Sequence, residues 1–347
     1  MLRTIKIVNV YIMPNITIKE IASLCKVSTA TVSRALSEEG HLVKPATRDL
    51  VLSACEKLGY QTNRAARRLR TGQTYVIAYV LNRSDPSDRF ARQLMLGLTD
   101  RLSKSDFHLV VIPEHEISPL GSIKYLAERQ VCDGAVLTHT LTEDVRVSWL
   151  ADQKMPFVTH GQTDGRQPHD FVDFDTDAFM QQAFEQFDSH APERVGILLP
   201  PRYMTFARRL ESAFLACFKQ GGANSRLIGE IVSEITTESG QAELKNWAAQ
   251  NISRFDGLIV SNDAVLPALT AGMEETEQVV RTDCKIICKT LGMNSFHLPR
   301  GVISFHEDLY QSGYELGNVI IDRIRNPESP TREVLIPPVP QAIAKAI

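Results

Sequence analysis

The sequence predicts an α/β protein in which three short N-terminal helices and a hinge helix precede a core of two doubly wound parallel sheets. The chain has 347 residues, too many for one ordinary core, so several compact units are expected. Apolar residues recur at helical spacing up to Leu58, whereas short apolar strands alternate with helices from Tyr75 onward. We therefore predict a disordered extension (1–15), a three-helix head (16–61), a hinge helix with its linker (62–74) and the core (75–347).

Charge is distributed unevenly along the chain. The whole chain carries 38 Lys and Arg against 41 Asp and Glu, but residues 1–72 carry 12 basic against 5 acidic residues. The remainder carries 26 basic against 36 acidic residues. A basic N-terminal part on an acidic body indicates a module that binds a polyanion, fused to a part that does not.

Several classes of protein are disfavoured by composition. No apolar run approaches the roughly 20 residues that a membrane helix needs, and Met1–Met13 lacks the cleavage pattern of a signal peptide. The six cysteines are scattered and no His cluster completes a metal site, so buried reduced thiols are expected. We expect a cytoplasmic protein without a membrane partner and without a cofactor.

The head contains the signals of three helices. Thr17 is a predicted N-cap with Glu20 as its capping-box partner. Ser28 is a predicted cap for a second helix over Thr29–Leu36, and a third helix is predicted over Pro45–Leu58. The spacing predicts a core built from Ile18, Ile21, Ala22, Leu24, Val32, Leu36, Val51, Leu52, Cys55 and Leu58.

The outward face of the second helix favours DNA binding. Two short helices joined by a tight turn, the second exposing small hydrogen-bonding side chains, are typical of a helix-turn-helix that enters the major groove. Thr29 and Ala30 can contact thymine methyl groups, while Arg34 can reach a guanine or a phosphate. Ser33 lies on the same face. The alternative is an ordinary three-helix subdomain whose polar face is solvated.

Three segments resemble the head of the lactose-repressor (LacI/GalR) family of transcriptional regulators: Ile18–Ala22, Val27–Leu36 and Tyr60–Leu69. The family usually has Ala-Gly where this chain has Cys25-Lys26, and a non-glycine residue at positive φ there costs about 1 kcal/mol. The resemblance implies that these residues bind double-stranded operator DNA: Thr17, Ser28, Thr29, Ala30, Thr31, Ser33, Arg34, Asn63, Ala66, Arg67 and Leu69.

The hinge from Asn63 to Arg70 reads as a strongly basic helix, too short to be stable alone in water. The resemblance implies that two such helices pair over the operator in a homodimer, where Leu69 wedges into the minor groove beside Ala66 and Arg67 and bends the DNA. The alternative is a charged linker whose leucine packs on the core.

The core alternates strands with helices, such as those predicted from Phe90 to Ser103 and from Ala178 to Phe187. This alternation predicts parallel sheets covered on both faces, with a ligand bound between two halves. The predicted strands are 76–80, 109–112, 134–137, 157–159, 195–199, 257–260 and 285–288. No glycine-rich phosphate loop and no nucleophile–base pair occurs, so we do not expect an enzyme.

The core resembles the periplasmic-binding-protein-like effector domain of the same family over its whole length. We expect an N-subdomain of about 75–174 and 304–332 and a C-subdomain of about 175–303 and 333–343. The resemblance implies that a small-molecule effector binds Arg89, Phe90, His160, Asp173, Arg208, Asn262 and Lys289. Each has a structural alternative, for example Phe90 in the core, His160 as a hydrogen-bonded strand end, or Asp263 beside Asn262 as an N-cap.

Two departures from the family leave the effector open. Leu210 stands where the family often has an arginine, with Arg208 and Arg209 nearby, and Lys289 stands where an acid usually binds hydroxyl groups. A lysine donates hydrogen bonds and accepts none. The effector is then a sugar or sugar derivative, or a molecule with an acidic or phosphate group; alternatively, Lys289 pairs with Asp173 or Glu307.

These expectations describe an allosterically controlled transcriptional regulator of carbohydrate metabolism, a repressor that acts as a homodimer. No leucine heptad follows Pro330, so no tetramerising coiled coil is expected. The rival interpretations are a regulator with a phosphoprotein corepressor, a cytosolic α/β enzyme acting on sugars, and a periplasmic solute receptor. Neither of the last two would need the basic head.

Overall fold

The structure is a computed structural model that describes residues 16–36, 38–60, 68–69, 71–82, 88–114, 118–165, 167–187, 194–221, 238–275, 284–291, 298–299 and 301–341. The chain forms two compact units, residues 1–73 and 74–347. The expected extension (1–15) lies outside the described residues.

The first unit contains the three predicted helices, α1 (Ile18–Cys25), α2 (Thr29–Ala35) and α3 (Pro45–Leu58), with a 3₁₀ turn at Glu38–Leu42. Both predicted N-caps are present. The Thr17 hydroxyl accepts the backbone N–H of Glu20, whose carboxylate in turn accepts the N–H of Thr17, which completes a capping box. Capping satisfies donors that the first turn of a helix leaves unpaired.

The core of this unit departs from the predicted one at three leucines. Ile21, Val32 and Val51 are fully buried and Cys55 is buried, as the spacing predicts. The structure instead exposes Leu24, Leu52 and Leu58. Ala35 and Ala54 occupy the buried positions on their helices, because the small three-helix core has room for alanines between the larger side chains.

The second unit holds two sheets. The first, with the strand order β10-β5-β4-β3-β1-β2, is parallel throughout and consists of β1 (Val76–Leu81), β2 (His108–Pro113), β3 (Gly134–Leu137), β4 (Phe157–His160), β5 (Phe171–Phe174) and β10 (Glu333–Ile336). Its helices are α4 (Asp88–Leu102), α5 (Pro119–Glu128), α6 (Val145–Asp152) and α11 (Leu309–Arg325). These elements form the first subdomain.

The second sheet has the order β11-β9-β8-β7-β6, in which only the β11–β9 pair is antiparallel. Its strands are β6 (Val195–Leu198), β7 (Gly257–Val260), β8 (Lys285–Thr290), β9 (Ile303–His306) and β11 (Val339–Pro340). Its helices are α7 (Thr176–Glu185), α8 (Thr205–Gly221), α9 (Glu238–Asn251) and α10 (Leu266–Glu275), with 3₁₀ turns at Ile252–Arg254 and Asp263–Val265. These elements form the second subdomain.

Alternating side chains bury both faces of each sheet. In β1, Ile77 and Tyr79 pack beneath α4 and α11, while Ala78 and Val80 pack beneath α5 and α6. The α4–α11 contact is close because glycines lie in it. A side chain at Gly97 would collide with the backbone of α11.

The connections between the sheets correct the predicted subdomain limits. We expected 304–332 in the first subdomain and 333–343 in the second, but β9 pairs with β8 in the second sheet and β10 pairs with β5 in the first. The chain therefore changes sheet after each of these strands, not before it. A short apolar run does not reveal which distant strand it pairs with, so the sequence could not fix this point.

Within the part of the chain that the structure describes, no helix is both long and apolar enough to cross a bilayer.

Candidate functional site

The start of α2 presents the predicted DNA-binding face. Thr29, Ala30 and Arg34 are exposed and Ser33 is half-buried, while Val32 holds the helix to the core. The helix packs through one side only, so its small residues remain accessible to a large partner. This is the arrangement that a recognition helix needs in the major groove.

Two of the predicted DNA-contact residues, Ser28 and Thr17, are also the N-caps of α2 and α1. The Ser28 hydroxyl accepts the Thr31 backbone N–H at 3.0 Å and lies 2.9 Å from the Thr31 hydroxyl. Thr17 has the same double role at α1, since its hydroxyl donates to the Glu20 carboxylate at 2.9 Å. These hydrogen bonds therefore stabilise the N-termini of α1 and α2.

The turn between α1 and α2 contains the strained residue that the sequence predicted. Lys26 has a left-handed backbone with φ of 51°, and its N–H bonds to the carbonyl groups of Ala22 and Ser23. Glycine normally takes this position because it has no Cβ.

The predicted hinge falls almost entirely outside the described residues, including Asn63, Ala66 and Arg67. Leu69 is described and is 90% exposed. The Gly72 N–H bonds to the Arg68 carbonyl at 2.8 Å. The pairing of two hinge helices and the wedging of Leu69 stay predictions.

In the core, a cluster of four polar side chains joins the two subdomains. His160, which ends β4, and Asp173 in β5 belong to the first subdomain. Lys289 in β8 and Glu307, the residue after β9, belong to the second. We call these four residues the interface cluster. The Nε2 atom of His160 lies 3.5 Å from the Glu307 carboxylate, which forms an ion pair with Lys289. All four side chains are buried.

Lys289 is held from three sides. Of the two partners that the sequence suggested, Glu307 is the one that pairs with it. Its ammonium also lies 5.1 Å from the ring centre of Phe174 and 4.8 Å from that of Phe206. Burial raises the pKa of Glu307, but Lys289 and His160 outweigh it and hold that pKa below its ordinary value. The Glu307 carboxylate is therefore ionised at neutral pH.

Asp173 sits at the end of the first sheet and accepts three hydrogen bonds. Its donors are the backbone N–H of Gln162 at 3.2 Å, the Gln162 side-chain amide at 3.1 Å and the Phe174 N–H at 2.8 Å. Burial and the nearby Glu307 raise the pKa of Asp173 to about 6 in spite of these donors.

Phe90 lies between two imidazole rings. Its ring meets His160 edge-on at 5.3 Å and His139 at 5.1 Å. Burial lowers the pKa of His160 to about 4, so its ring is neutral at pH 7. Among the described residues its Nε2 atom has no hydrogen-bond partner. A buried polar atom without a partner is a place that a ligand can complete.

Arg89 and Asn262 make contacts that the sequence only partly indicated. Arg89 pairs with Asp263 at 3.3 Å, which links α4 of the first subdomain to the second. The capping role considered for Asp263 belongs to Asn262, whose side-chain oxygen accepts the Ala264 N–H at 2.9 Å.

The side chains of Arg208, Arg209 and Leu210, in the first turns of α8, lie in different surroundings. Leu210 is fully buried in the apolar core, and Arg208 pairs with Asp164 of the first subdomain at 3.0 Å. Arg209 turns inward: its Nε atom is buried and has no hydrogen-bond partner among the described residues. It lines a cavity of about 540 Å³ whose other lining residues include Arg208, Gln162, Phe174 and Leu335.

His139 is one of the residues of this region that the sequence did not single out, as are Gln162 and Phe206. His139 lies after β3 and has a left-handed backbone with φ of 53°. No sequence pattern predicts that a histidine adopts this conformation. The one available signal was its place at the carboxyl end of a buried strand, where ligands of doubly wound folds bind.

The head matches a described family: residues 17–63 fit "Bacterial regulatory proteins, lacI family". The chain is 29% identical over 277 residues to the HTH-type transcriptional regulator AglR of Rhizobium meliloti (strain 1021), covering 78% of this chain and 77% of AglR. It is 26% identical over 331 residues to the HTH-type transcriptional regulator CelR of Thermobifida fusca, covering 92% and 95%.

Solved structures share the fold at lower identity. The transcriptional regulator CelR–cellobiose complex superposes with a TM-score of 0.65 at 19% identity and covers 94% of this chain and 99% of that one. The lac repressor dimer bound to operator and the anti-inducer ONPF gives a TM-score of 0.70 at 16% identity, with coverage of 95% and 98%.

Proposed function

Because the chain belongs to the lacI family of bacterial regulatory proteins and is a DNA-binding transcriptional regulator, we propose that it is a homodimeric repressor. In this proposal a small sugar binds the core and either releases the repressor from operator DNA or holds it there. The observation that supports the DNA-binding part of this proposal is the exposed start of α2. Thr29 and Ala30 are exposed there, directly after the N-cap residue Ser28, and Arg34 is exposed on the same helix. A recognition helix reads base edges with side chains at this position.

The homodimer follows from how such a head reads DNA. One short recognition helix covers only a few base pairs, so specificity requires two heads on two half-sites. The lac repressor, which shares this fold, is a dimer on its operator. In this chain Leu69 is exposed beside the basic hinge, which suits a wedge at the centre of a two-fold site.

The ion pair between Lys289 and Glu307 favours a neutral effector over an acidic one. A lysine at this position suggested an anionic ligand, but its charge is neutralised by a buried carboxylate. Asp173 adds a further negative group to the interface cluster at pH 7, and His160 is uncharged. An anion would meet no unpaired cation in this cluster, whereas hydroxyl groups can donate to Asp173 and bond to His160.

Contacts between the subdomains provide the route for allosteric control. Arg89 pairs with Asp263, Arg208 pairs with Asp164, and a backbone bridge joins Leu141 to Met204. A ligand that binds one arrangement of the subdomains more tightly shifts the equilibrium toward it. Thr74 is the first residue of the core unit. A change in the arrangement of the subdomains then reaches the hinge and the head through the chain that precedes Thr74.

The DNA-binding half is tested by fluorescence anisotropy with duplexes tiled over the region upstream of the gene. We expect specific binding to a pseudo-palindrome that weakens steeply with salt. Arg34→Ala should lose about 1–3 kcal/mol of binding free energy. Arg325→Ala, at the exposed end of α11, is the matched control and should bind as the wild type. Salt-insensitive binding without sequence preference would contradict the proposal.

The effector half is tested by thermal unfolding with two sets of probes. Cellobiose, maltose and ribose represent neutral sugars, and glucose 6-phosphate and citrate represent anions. A neutral sugar at 100 times its Kd should stabilise the core by about 2.7 kcal/mol. The same sugar should change operator affinity in the anisotropy assay. Stabilisation by the anions alone would contradict the neutral class.

A further inference from the structure

His139 adopts a backbone conformation that side chains rarely take. It directly follows Thr138 at the carboxyl end of β3, and its φ of 53° places it in the left-handed region. Histidine, asparagine and aspartate tolerate this region better than other residues, yet it remains strained for any residue with a Cβ. Strain of this kind persists only where the surroundings enforce it, and such residues cluster at ligand sites.

Arg146 enforces this conformation from behind the strand. One terminal nitrogen of its guanidinium donates to the carbonyl groups of Thr138 and His139, both at 3.1 Å. The guanidinium is buried and is neutralised by Asp144 at 2.7 Å and Glu114 at 2.9 Å. Burial raises the pKa of Asp144, but the bonds to Arg146 outweigh it, and the net pKa is lowered. Asp144 and Arg146 are therefore ionised, and the guanidinium of Arg146 fixes both carbonyl groups.

The side chain of His139 is fixed as well. Its Nδ1 atom lies 3.1 Å from the Thr138 hydroxyl, and its ring meets Phe90 at an angle of 61°. On the other side Phe90 meets His160 at 79°. An imidazole from the end of β3, an imidazole from the end of β4 and the phenyl ring of α4 thus form one aromatic wall.

We infer that His139 is a further effector-contacting residue, and that Arg146 is the positioning residue that holds it against Phe90. The inference rests on the proposed sugar effector. The aromatic wall suits the C–H face of a sugar ring, and imidazole nitrogens exchange hydrogen bonds with hydroxyl groups. Packing of Phe90 alone would not require a strained residue, since His160 already covers its other side.

The test compares His139→Asn with wild type in the full chain. Asparagine accepts the left-handed backbone but removes the ring. We expect the melting temperature without ligand to change by less than about 2 °C, and the affinity for the sugar that stabilises wild type (cellobiose, maltose or ribose) to fall at least tenfold. Lys154→Asn is the matched control, because Lys154 has the same φ of 53° on an exposed turn. It should change neither quantity.

The positioning role of Arg146 is tested by a double-mutant cycle. Arg146→Lys keeps the charge but loses the paired bonds to the two carbonyl groups. By itself it should weaken sugar binding, and in the His139→Asn background it should cause no further loss, because it acts through His139. Additive losses would overturn this part of the inference.

The outcomes separate this inference from the proposed function. Wild-type affinity in His139→Asn, or a large fall of its melting temperature without ligand, assigns His139 to packing and overturns the inference. If no sugar stabilises the wild type, the sugar proposal fails. The comparison without ligand then still decides whether the His139 ring is needed for folding.

Discussion

Lys289 and Glu307 form an ion pair that is buried where β8 and β9 end, between the two subdomains. Their side chains are 5% and 3% exposed, and the Glu307 N–H is bonded to the Thr290 carbonyl at 3.0 Å. Removing both charges from water costs several kcal/mol for each ion, and their attraction offsets that cost only while both are present. The pair therefore acts as a unit.

Single substitutions in this pair should destabilise the core strongly. Lys289→Met leaves the Glu307 carboxylate buried without its cation, and Glu307→Leu leaves the ammonium without its anion. Each should lower the free energy of unfolding by about 3–5 kcal/mol. The double variant should be more stable than either single variant, which urea denaturation at pH 7 measures directly.

An exposed pair provides the control for these variants. Arg332 and Asp322 form an ion pair whose side chains are 42% and 50% exposed. Arg332→Ala should change the free energy of unfolding by less than about 1 kcal/mol, since solvent screens exposed charges. If Lys289→Met proves equally harmless, the charges at the interface cluster are solvated and the case for a neutral effector is lost.

Lys26→Gly should stabilise the head. The residue is held at φ of 51°, and glycine takes this backbone without the clash of a Cβ. We expect a gain of about 1 kcal/mol, reduced by the greater freedom of glycine in the unfolded chain. Calorimetry of the full chain would show it as an upward shift of the head transition. Gly59→Ala, at φ of 62° after α3, is the reciprocal variant and should shift the transition down.

The head illustrates what the sequence predicts well. The caps at Thr17 and Ser28, and the ends of α3, follow from rules that act over four residues or fewer, and the structure confirms them. The predicted inward positions of Leu52 and Leu58 were wrong, because a helix pattern gives a face but not the size of the core beneath it. The hinge residues Asn63 to Arg67 stay a prediction.

In the core, local patterns predicted the fold but not the site. The predicted helix starting at Phe90 begins at Asp88 in the structure, and every strand predicted from an apolar run is present. The sheet that each of the last strands joins, the partner of Lys289 and the inward turn of Arg209 depend on contacts between residues far apart in sequence. No local rule encodes those contacts, and the resemblance to a family places residues without placing their side chains.

Ser28 allows the two roles of a capping residue to be separated. Ser28→Ala removes the acceptor for the Thr31 N–H and should lower the stability of the head by about 1 kcal/mol. Ser28→Asp restores the cap and adds a negative charge that suits a helix N-terminus but repels a phosphate. The aspartate variant should therefore melt like wild type and bind operator DNA more weakly. Equal affinity for DNA in both variants would remove Ser28 from the DNA interface.

His160 should make the core less stable in mild acid. Burial lowers the pKa of His160 from 6.5 to about 4, so between these values the unfolded chain binds a proton that the folded chain does not. Stability is then lost as the pH falls from about 6.5 toward 4, by about 3 kcal/mol from this group. Asp173, whose pKa is raised from 3.8 to about 6, acts in the opposite sense over an overlapping range.

Because the two groups oppose each other, the wild-type profile alone does not isolate His160. His160→Gln keeps a polar side chain but removes the titration, while Asp173 remains in both proteins. The difference in unfolding free energy between variant and wild type should therefore move in favour of the variant as the pH falls from 7 to 4.5. Urea denaturation at half-unit pH steps measures this difference. Parallel profiles would mean that His160 is solvated in the folded protein, and it would then lose its place as a buried, uncharged partner for the effector.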